Sequence, residues 1–381
     1  MIERRTEAAA ALAWPFRLPV VDRFEEWLHA PAPLESRHPR FDIRRAVPAE
    51  FDGIYDLVDE AFGLKRPRAQ YDWLYRRNPY GVARCWVAFD RASGRLVGSS
   101  ASWPWPMAQG AHWVEGAQWG DSVVAPGWQR HGIAGLRIDT LRSHAWQAKT
   151  IALSWPNEKR RGAVIKGGVA AEIVGPVPRA VLLLNAKAFL AEHMWPAPVS
   201  AFGGAVLDTA LTAWRKLVLR GQTGLAVEAV RRFESSIDEV TLRCMTWPGF
   251  WSPHDADFLN WRYLEHPTAH YLAFAQMDGG KLAGYYVLKI DGQASWLMEF
   301  VAPVSPRRFG SALLLHVIET ARAAGCTHLE FSAPPGWRHW RLLRSVGFLP
   351  VPSKIYLWPG DEPELRQLAM WQWVPGDIDY L

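Results

Sequence analysis

Cysteine is scarce in this chain. Cys85, Cys244 and Cys326 lie far apart and are odd in number, and no Cys-x-x-Cys or Cys/His metal spacing occurs. This excludes a disulfide scaffold and a structural zinc site, so no metal is expected, and it points to a reducing compartment. The signatures His-Glu-x-x-His and Gly-x-Ser-x-Gly and the Walker phosphate loop are also missing. Zinc peptidases, α/β-hydrolases and P-loop nucleotide hydrolases are thereby set aside. No apolar run reaches the roughly 18 residues that span a bilayer. Glu3, Glu7 and Pro15 argue against a secretory leader despite Arg4-Arg5 and a short alanine run. The formal net charge is only +5, and no basic block is interleaved with aromatics. That excess suits a polyanionic cofactor or an anionic membrane surface, and nucleic acid is not an expected partner. The expected location is cytoplasmic, or peripheral on the inner membrane face.

Tryptophan, in contrast, is abundant. Twenty-two copies imply either a Trp-rich core or a large apolar, interfacial binding surface. Residues 1–40 are Pro-rich and irregular and read as an arm. A strand begins at Asp42, and Pro48 to Phe62 reads as a helix with Phe51, Ile54, Leu57, Val58 and Phe62 on one face. Strands follow at Cys85 to Phe89, Arg95 to Ser100 and His112 to Val124, then a helix from Gly132 to Gln147 and a strand from Thr150 to Ser154.

The second half repeats this order. Trp73, Tyr75 and Pro79 recur as Trp261, Tyr263 and Pro267 at one offset of 188 residues. Val87-Ala88-Phe89 is matched by Leu272-Ala273-Phe274, and Leu96-Val97-Gly98 by Leu282-Ala283-Gly284. A tandem duplication of one α/β unit explains this succession.

Residues 118–134, QWGDSVVAPGWQRHGIA, carry the chemistry. A valine strand ends at Val124, the turn Ala125-Pro126-Gly127-Trp128 follows, and Gln129-Arg130-His131-Gly132-Ile133-Ala134 opens a helix. Amides at a helix mouth have no intrahelical partner, and the helix dipole adds positive potential there. Gly132 and Ala134 let a pyrophosphate approach the backbone closely.

This segment resembles the pyrophosphate loop of the GNAT acyl-CoA N-acyltransferase superfamily, whose pattern Gln/Arg-x-x-Gly-x-Gly/Ala is matched by Gln129, Gly132 and Ala134. The resemblance implies an α/β fold of two tandem GNAT-like domains, each a mixed, mostly antiparallel central sheet flanked by helices. The expected division is an arm at 1–40, a first domain with the acyl-CoA site at 41–195, an amphipathic linker helix at 196–224 and a second GNAT-like domain at 225–381. It further implies acyl-CoA as co-substrate, bound by Ser122, Val123, Val124, Gln129, Arg130, His131, Gly132, Ile133, Ala134 and Asn157, with pantetheine slotted between Ser122-Val123-Val124 and Ala152-Leu153-Ser154. An amine acceptor then attacks the thioester directly, with no acyl-enzyme. Many family members carry a glutamate where this chain has Gln118, so Asp121 ranks first and Glu115 second as base. The family's tyrosine acid falls on Val164, and Tyr75, Tyr80, Ser154 or water are the substitutes. Trp73, Tyr80, Gln118 and Glu299 are candidate substrate walls, and His254, Asp255, Asp257 and His266 are polar groups able to reach across from the second half.

The corresponding loop of the second half reads as degraded, with Ser305 at the Gln position and Arg308 at the first Gly position. A shifted register through Arg307, Gly310 and Ala312 restores the pattern and shortens the helix. The degraded reading implies one acyl-CoA per chain.

Between the halves, Leu207, Ala210, Leu211, Trp214, Leu217 and Val218 form one helical stripe, with Thr212, Arg215 and Lys216 off it. That suits either a helix on an anionic membrane surface or a packed linker. Tandem-GNAT bacterial enzymes of similar layout act on amino sugars of surface polysaccharides or on lipid amines. Bacterial ceramide synthase, which N-acylates a sphingoid base, is similar in layout. A lipid amine is the favoured acceptor, an amino sugar the alternative. A FemAB-like aminoacyltransferase and a non-catalytic acyl-CoA-binding protein remain open.

Overall fold

A computed structural model of the chain describes residues 38–136, 150–156, 174–192, 199–219, 225–358 and 363–378. The arm at 1–37 and Asn157 lie outside the described residues. The first half contains strand β1 (Phe41–Arg45), helices α1 (Phe51–Phe62) and α2 (Arg68–Tyr75), and strands β2 (Arg84–Asp90), β3 (Leu96–Gln109), β4 (His112–Val124), β5 (Ile151–Leu153) and β6 (Arg179–Leu183). Helices α3 (Ala186–Glu192) and α4 (Gly204–Val218) link it to the second half. There follow β7 (Ala226–Ala229), α5 (Ser236–Met245), β8 (Phe250–Trp251), α6 (Ala256–Leu259), β9 (Tyr271–Asp278), β10 (Lys281–Asp291), β11 (Ala294–Val301), α7 (Arg308–Ala323), β12 (His328–Ser332), α8 (Trp340–Ser345), β13 (Leu349–Val351) and β14 (Trp371–Gln372).

Local chemistry sets most of these elements. In α1, Phe51, Ile54, Tyr55, Leu57 and Val58 share one face and are buried. Phe62, expected on that face, is exposed instead, because it stands in the last turn before Gly63 ends the helix at φ +67°. The β2–β3 turn is closed by Asp90, which accepts from the backbone and hydroxyl of Ser93 at 3.0 and 2.7 Å.

Two seven-stranded sheets result. One runs β1-β2-β3-β4-β5, with β8 and β14 added at the far end of β3; the other runs β13-β6-β12-β11-β10-β9-β7. Both are mixed and mostly antiparallel, with parallel ladders at β4–β5, β11–β12 and β8–β14.

The expected boundaries at 195 and 225 do not separate the sheets. β6 belongs to the first half by chain order but pairs with β12 and β13 of the second sheet. Residues 355–358 make the return exchange: Ser154 bridges to Trp358, Val174 to Leu357, and the Val177 amide donates to the Ile355 carbonyl. The first half keeps β5 in its own sheet and sends β6 across, and the second keeps β12 and β13 and sends residues 355–358 back as isolated bridges.

The repeated tryptophans meet at the seam. The Trp73 and Trp261 rings stack 4.6 Å apart. Trp73 Nε1 donates to the Trp261 carbonyl at 2.8 Å, and Trp261 Nε1 donates to the Trp73 carbonyl at 3.0 Å. Around them one apolar core runs across both halves, from Tyr80, Trp105 and Ala108 to Phe258, Tyr285 and Met298. Most of the tryptophan excess is accounted for as core, since Trp86, Trp103, Trp105, Trp251, Trp371 and Trp373 are all buried. Trp214, on α4, is exposed. Among the described residues no helix is long and apolar enough to cross a membrane.

Trp73→Ala deletes one ring of the stack and leaves the Trp261 carbonyl without its donor. It is expected to cost about 3–5 kcal/mol, read as a lower Tm and denaturant midpoint. Trp73→Phe keeps the stack and loses the hydrogen bond, at about 1 kcal/mol. A Trp73→Ala melt that superimposes on the parent would remove this contact from the account of the fold.

Candidate functional site

The site begins where two parallel strands part. β4 and β5 pair only through Gly116–Ile151, Ala117–Ala152 and Gln118–Leu153. Beyond that point β4 continues to Val124, while Ser154 turns away to bridge Trp358. The pairing of β4 with β3 slips between Ser99 and Ala101, so Asp121 and Ser122 sit on a bulge, Asp121 at φ +42°. Val123 and Val124 pair back onto Ser99 and Gly98. The Ala125 amide donates to Val97, and the Trp128 amide closes the turn onto Ala125 at 3.0 Å.

Gln129, Arg130, His131, Gly132 and Ala134 are exposed, and Ile133 is buried as the peg of the turn. The helix starts at residue 133, and its first bond runs from the Leu136 amide to the Gly132 carbonyl at 3.1 Å. Gly132 has φ +78°, and nothing lies within 4 Å of where its Cβ would stand. Glycine is favoured here by the backbone, and open space remains beside it. An exposed loop at a helix mouth, with open space beside Gly132, has the geometry from which an anion cradle can be built.

Both acids of β4 are engaged by arginine. Arg66 Nη1 donates to both oxygens of Asp121 at 3.1 Å, and Tyr75 Oη donates to Oδ2 at 2.9 Å. Glu115 accepts from the buried Arg84 at 2.9 Å. Tyr75 is fully enclosed, and burial followed by the Asp121 charge pushes its hydroxyl well above the ordinary range. Ser122 exchanges a 2.9 Å hydrogen bond with Ser100, and the Ser154 side chain is half-buried at the fork.

A second polar group lies inside the seam. The segment Pro375–Asp377 packs on β11, and a Cβ at Gly376 would collide with the Tyr263 hydroxyl and the Glu299 carboxylate. His254 Nδ1 meets Glu299 Oε1 at 2.8 Å, and its Nε2 meets Asp377 Oδ1 at 2.9 Å. Tyr263 Oη donates to the same Glu299 oxygen at 2.5 Å. The Asp377 carbonyl accepts from Gln118 Nε2 and from Trp155 Nε1, so it is tied to the first half at the fork. Arg262 donates to the carbonyls of Gly376 and Ile378 at 3.1 and 3.0 Å. Burial alone would push His254 down. The charges of Glu299 and Asp377, with their hydrogen bonds, outweigh it and raise the imidazole to about 10. Asp377 is shifted below the usual carboxylate range: burial opposes this, and the His254 charge with hydrogen bonds from His254, Val374 and Trp105 overcomes it.

An acetyltransferase (GNAT) domain model matches residues 42–160, and an acetyltransferase (GNAT) family model matches residues 236–348. The chain is a tandem GNAT protein. It is by family an acyltransferase. A probable N-acyltransferase from Enterococcus faecalis V583 is similar in structure, with a TM-score of 0.58 at 12% identity over 83% of this chain and 71% of that one. A GCN5-related N-acetyltransferase from Anabaena variabilis superimposes with a TM-score of 0.57 at 12% identity, over 84% of this chain and 72% of the other. One from Kribbella flavida gives 0.54 at 15% identity, over 84% and 72%. At such identities the likeness is one of fold. No curated protein matches the chain.

The two GNAT halves differ at their loops. In the second, α7 starts at Arg308, whose guanidinium is drawn to Asp278 at 3.0 Å. Gly310 lies within the first turn of α7, buried against Leu342 of α8, rather than open beside a helix mouth. The candidate substrate residues Trp73, Tyr80, Gln118 and Glu299 all lie inside the seam, with Tyr80 Oη donating to Asp255 at 2.7 Å. Arg66, Arg84 and Asp377 carried no signal in the sequence. His254 did, as one of several polar groups, but its partners come from residues 45 and 123 positions away. Among the described residues no cluster able to hold a metal is present.

The sign of the His254 shift fixes a pH dependence. A raised imidazole contributes stability that is complete below pH 6.5 and lost as the pH climbs through about 10. Asp377 works in the opposite sense, losing its contribution as the pH falls below the ordinary carboxylate range. From pH 6.5 to 10 the Tm of the parent is expected to fall more steeply than that of His254→Gln. Parallel curves would show that the imidazole is not the titrating group.

Proposed function

We propose that this protein moves an acyl group from acyl-CoA to the primary amine of an amphiphilic lipid of the sphingoid-base type. The observation that carries the donor half of this reading is the fork between β4 and β5, which opens onto the exposed Gly132 cradle. The pyrophosphate would rest on Gln129 to Ala134, with Arg130 and His131 at its rim, and pantetheine would extend the edge of β4 at Ser122, Val123 and Val124 toward Ser154. The second half offers no such cradle, which supports one acyl-CoA per chain.

In the reaction, the amine nitrogen forms a bond to the thioester carbon, the carbonyl becomes an oxyanion, and the carbon–sulfur bond breaks to release the thiolate. Asp121 is the first candidate to take the ammonium proton and Glu115 the second. Tyr75 and Tyr80 already donate their hydroxyl protons to Asp121 and Asp255. That leaves Ser154 or water to protonate the thiolate. All three cysteines are buried, and the Cys85 thiol is pushed well above its ordinary range by burial and then by the Asp121 charge. This supports direct attack without an acyl-enzyme. The lipid acceptor is supported by the apolar face that α4 leaves uncovered.

Gly132→Glu should abolish acyl-CoA binding in calorimetry, because a carboxylate would face the pyrophosphate. Gly132→Ala shares the backbone strain, about 1–2 kcal/mol, without the charge, and should retain measurable binding. Equal affinities for both variants would remove the cradle from the proposal.

Asp121→Asn should leave acyl-CoA affinity unchanged and slow turnover by roughly 100-fold or more, the usual worth of a positioned base. Thiol release measured against long-chain amines and amino sugars reads this out. Normal turnover in the variant excludes Asp121 as base, and a preference for amino sugars overturns the lipid acceptor.

A further inference from the structure

Helix α4 is docked the wrong way round for an ordinary amphipathic linker. Its buried residues are Gly204 and Arg215. Arg215, only 2% exposed, donates to the Val346 carbonyl at 3.0 Å and the Leu183 carbonyl at 2.8 Å. Asp208 accepts from the amides of Ala186 and Lys187, and Thr212 accepts from Arg322 at 2.9 Å. The polar side therefore grips the protein. Outward on α4 stand Val206 at 55% exposure, Leu217 at 54%, Leu207 at 41% and Trp214 at 39%, with Phe202 at 79% in the π-helical turn Val199–Gly203 just before it. Their spacing places them on one continuous face. An apolar face of this kind left in water marks a binding surface.

Beside that face lies a groove of about 590 Å³ between α4 and the C-terminal end of α7. Thr209, Ala213 and Lys216 form its near wall, and Arg322 stands on its far side. Among the described residues no carboxylate forms an ion pair with Lys216, Arg322 or Arg215. Asp208, the one acid in the groove, is engaged by two backbone amides. Burial, and then the Arg322 charge, push Arg215 down to about 10, against the opposing charge of Asp208.

We infer that α4 docks this protein on an anionic phospholipid bilayer, the apolar face entering the headgroup boundary and the Lys216–Arg322 groove receiving a lipid phosphate. An apolar stripe bordered by Lys216 and Arg322, which no described carboxylate pairs, matches the boundary between acyl chains and anionic headgroups. A two-fold contact between two such faces would set cationic grooves against each other, which disfavours a second copy of the chain as the occupant. The inference deepens the lipid-amine reading and rests on it for its biological purpose, but the surface is tested without turnover.

The test is co-sedimentation of the full chain with vesicles of phosphatidylcholine alone or mixed with phosphatidylglycerol. Binding is expected to the mixed vesicles, to fall with added salt, and to be much weaker with phosphatidylcholine alone. The double substitution Val206→Glu/Leu217→Glu should weaken it by roughly tenfold or more, and Lys216→Glu by a smaller factor. Acyl-CoA affinity in calorimetry and thiol release with a water-soluble amine should be unchanged in these variants, which shows them folded. Failure to bind mixed vesicles overturns the docking surface, as does binding that the substitutions leave intact. So does a dimer, seen by analytical ultracentrifugation, that the same substitutions dissociate. Vesicle binding without acylation of any amine would leave the docking surface standing and defeat the catalytic reading instead.

Discussion

The architecture depends on two indole rings that each use the other's backbone. Stacking Trp73 on Trp261 removes both rings from water, and each ring N–H must then find an acceptor in the interior. It finds the main-chain carbonyl of its own counterpart. Because the donor and acceptor come from equivalent positions of a duplicated segment, the contact is self-complementary, as in a two-fold dimer interface. Tyr80 reaching Asp255, Trp105 reaching Asp377 and the Asp377 carbonyl reaching the fork all gather around that contact. The seam is thus a core rather than a boundary between domains.

Within this near-symmetric frame the two halves have diverged in chemistry. Each keeps its repeated tyrosine, and each tyrosine donates to a carboxylate on the strand that leads to the helix: Tyr75 to Asp121, Tyr263 to Glu299. The first pair sits beside an exposed loop and an arginine. The second is sealed under Pro375–Asp377 and joined to an imidazolium. One copy borders exposed backbone at Gln129 to Gly132. The other has turned its polar groups inward, where a neutral balance of two cations, His254 and Arg262, and two anions, Glu299 and Asp377, makes burial tolerable.

What the sequence made legible was local. The loop is a continuous stretch in which Pro126, Gly127 and Gly132 dictate the turn, and the strand His112–Val124 runs between the turns at Gly110 and Pro126. The duplication was visible because Trp, Tyr and Pro recur at constant spacing. Their touching was not, since spacing along a chain carries no information about distance across it. Arg66 meets Asp121 from 55 residues away and Asp377 meets His254 from 123, so neither partner leaves a pattern. For α4 the stripe was readable, but which side docks was not. A periodic pattern presumes that apolar residues face inward, and here Arg215 faces inward because its planar fork spans two carbonyls that end neighbouring elements.

The reciprocal crossing of late strands has a temporal meaning during synthesis. Ser154, just beyond β5, meets its partner only when Trp358 is made, and β12 pairs with β6, which is made before either of the strands it joins. The ribosome therefore releases a first half whose fork stands open along one side, and a strand waiting for a sheet that does not yet exist. The ladders β1 to β5 need nothing from the second half, whereas Ser154 and β6 lack their cross-half partners until it is made. The fork between β4 and β5 is bordered by this same edge, and the last group to reach it is the Asp377 carbonyl, which accepts from Gln118 and Trp155.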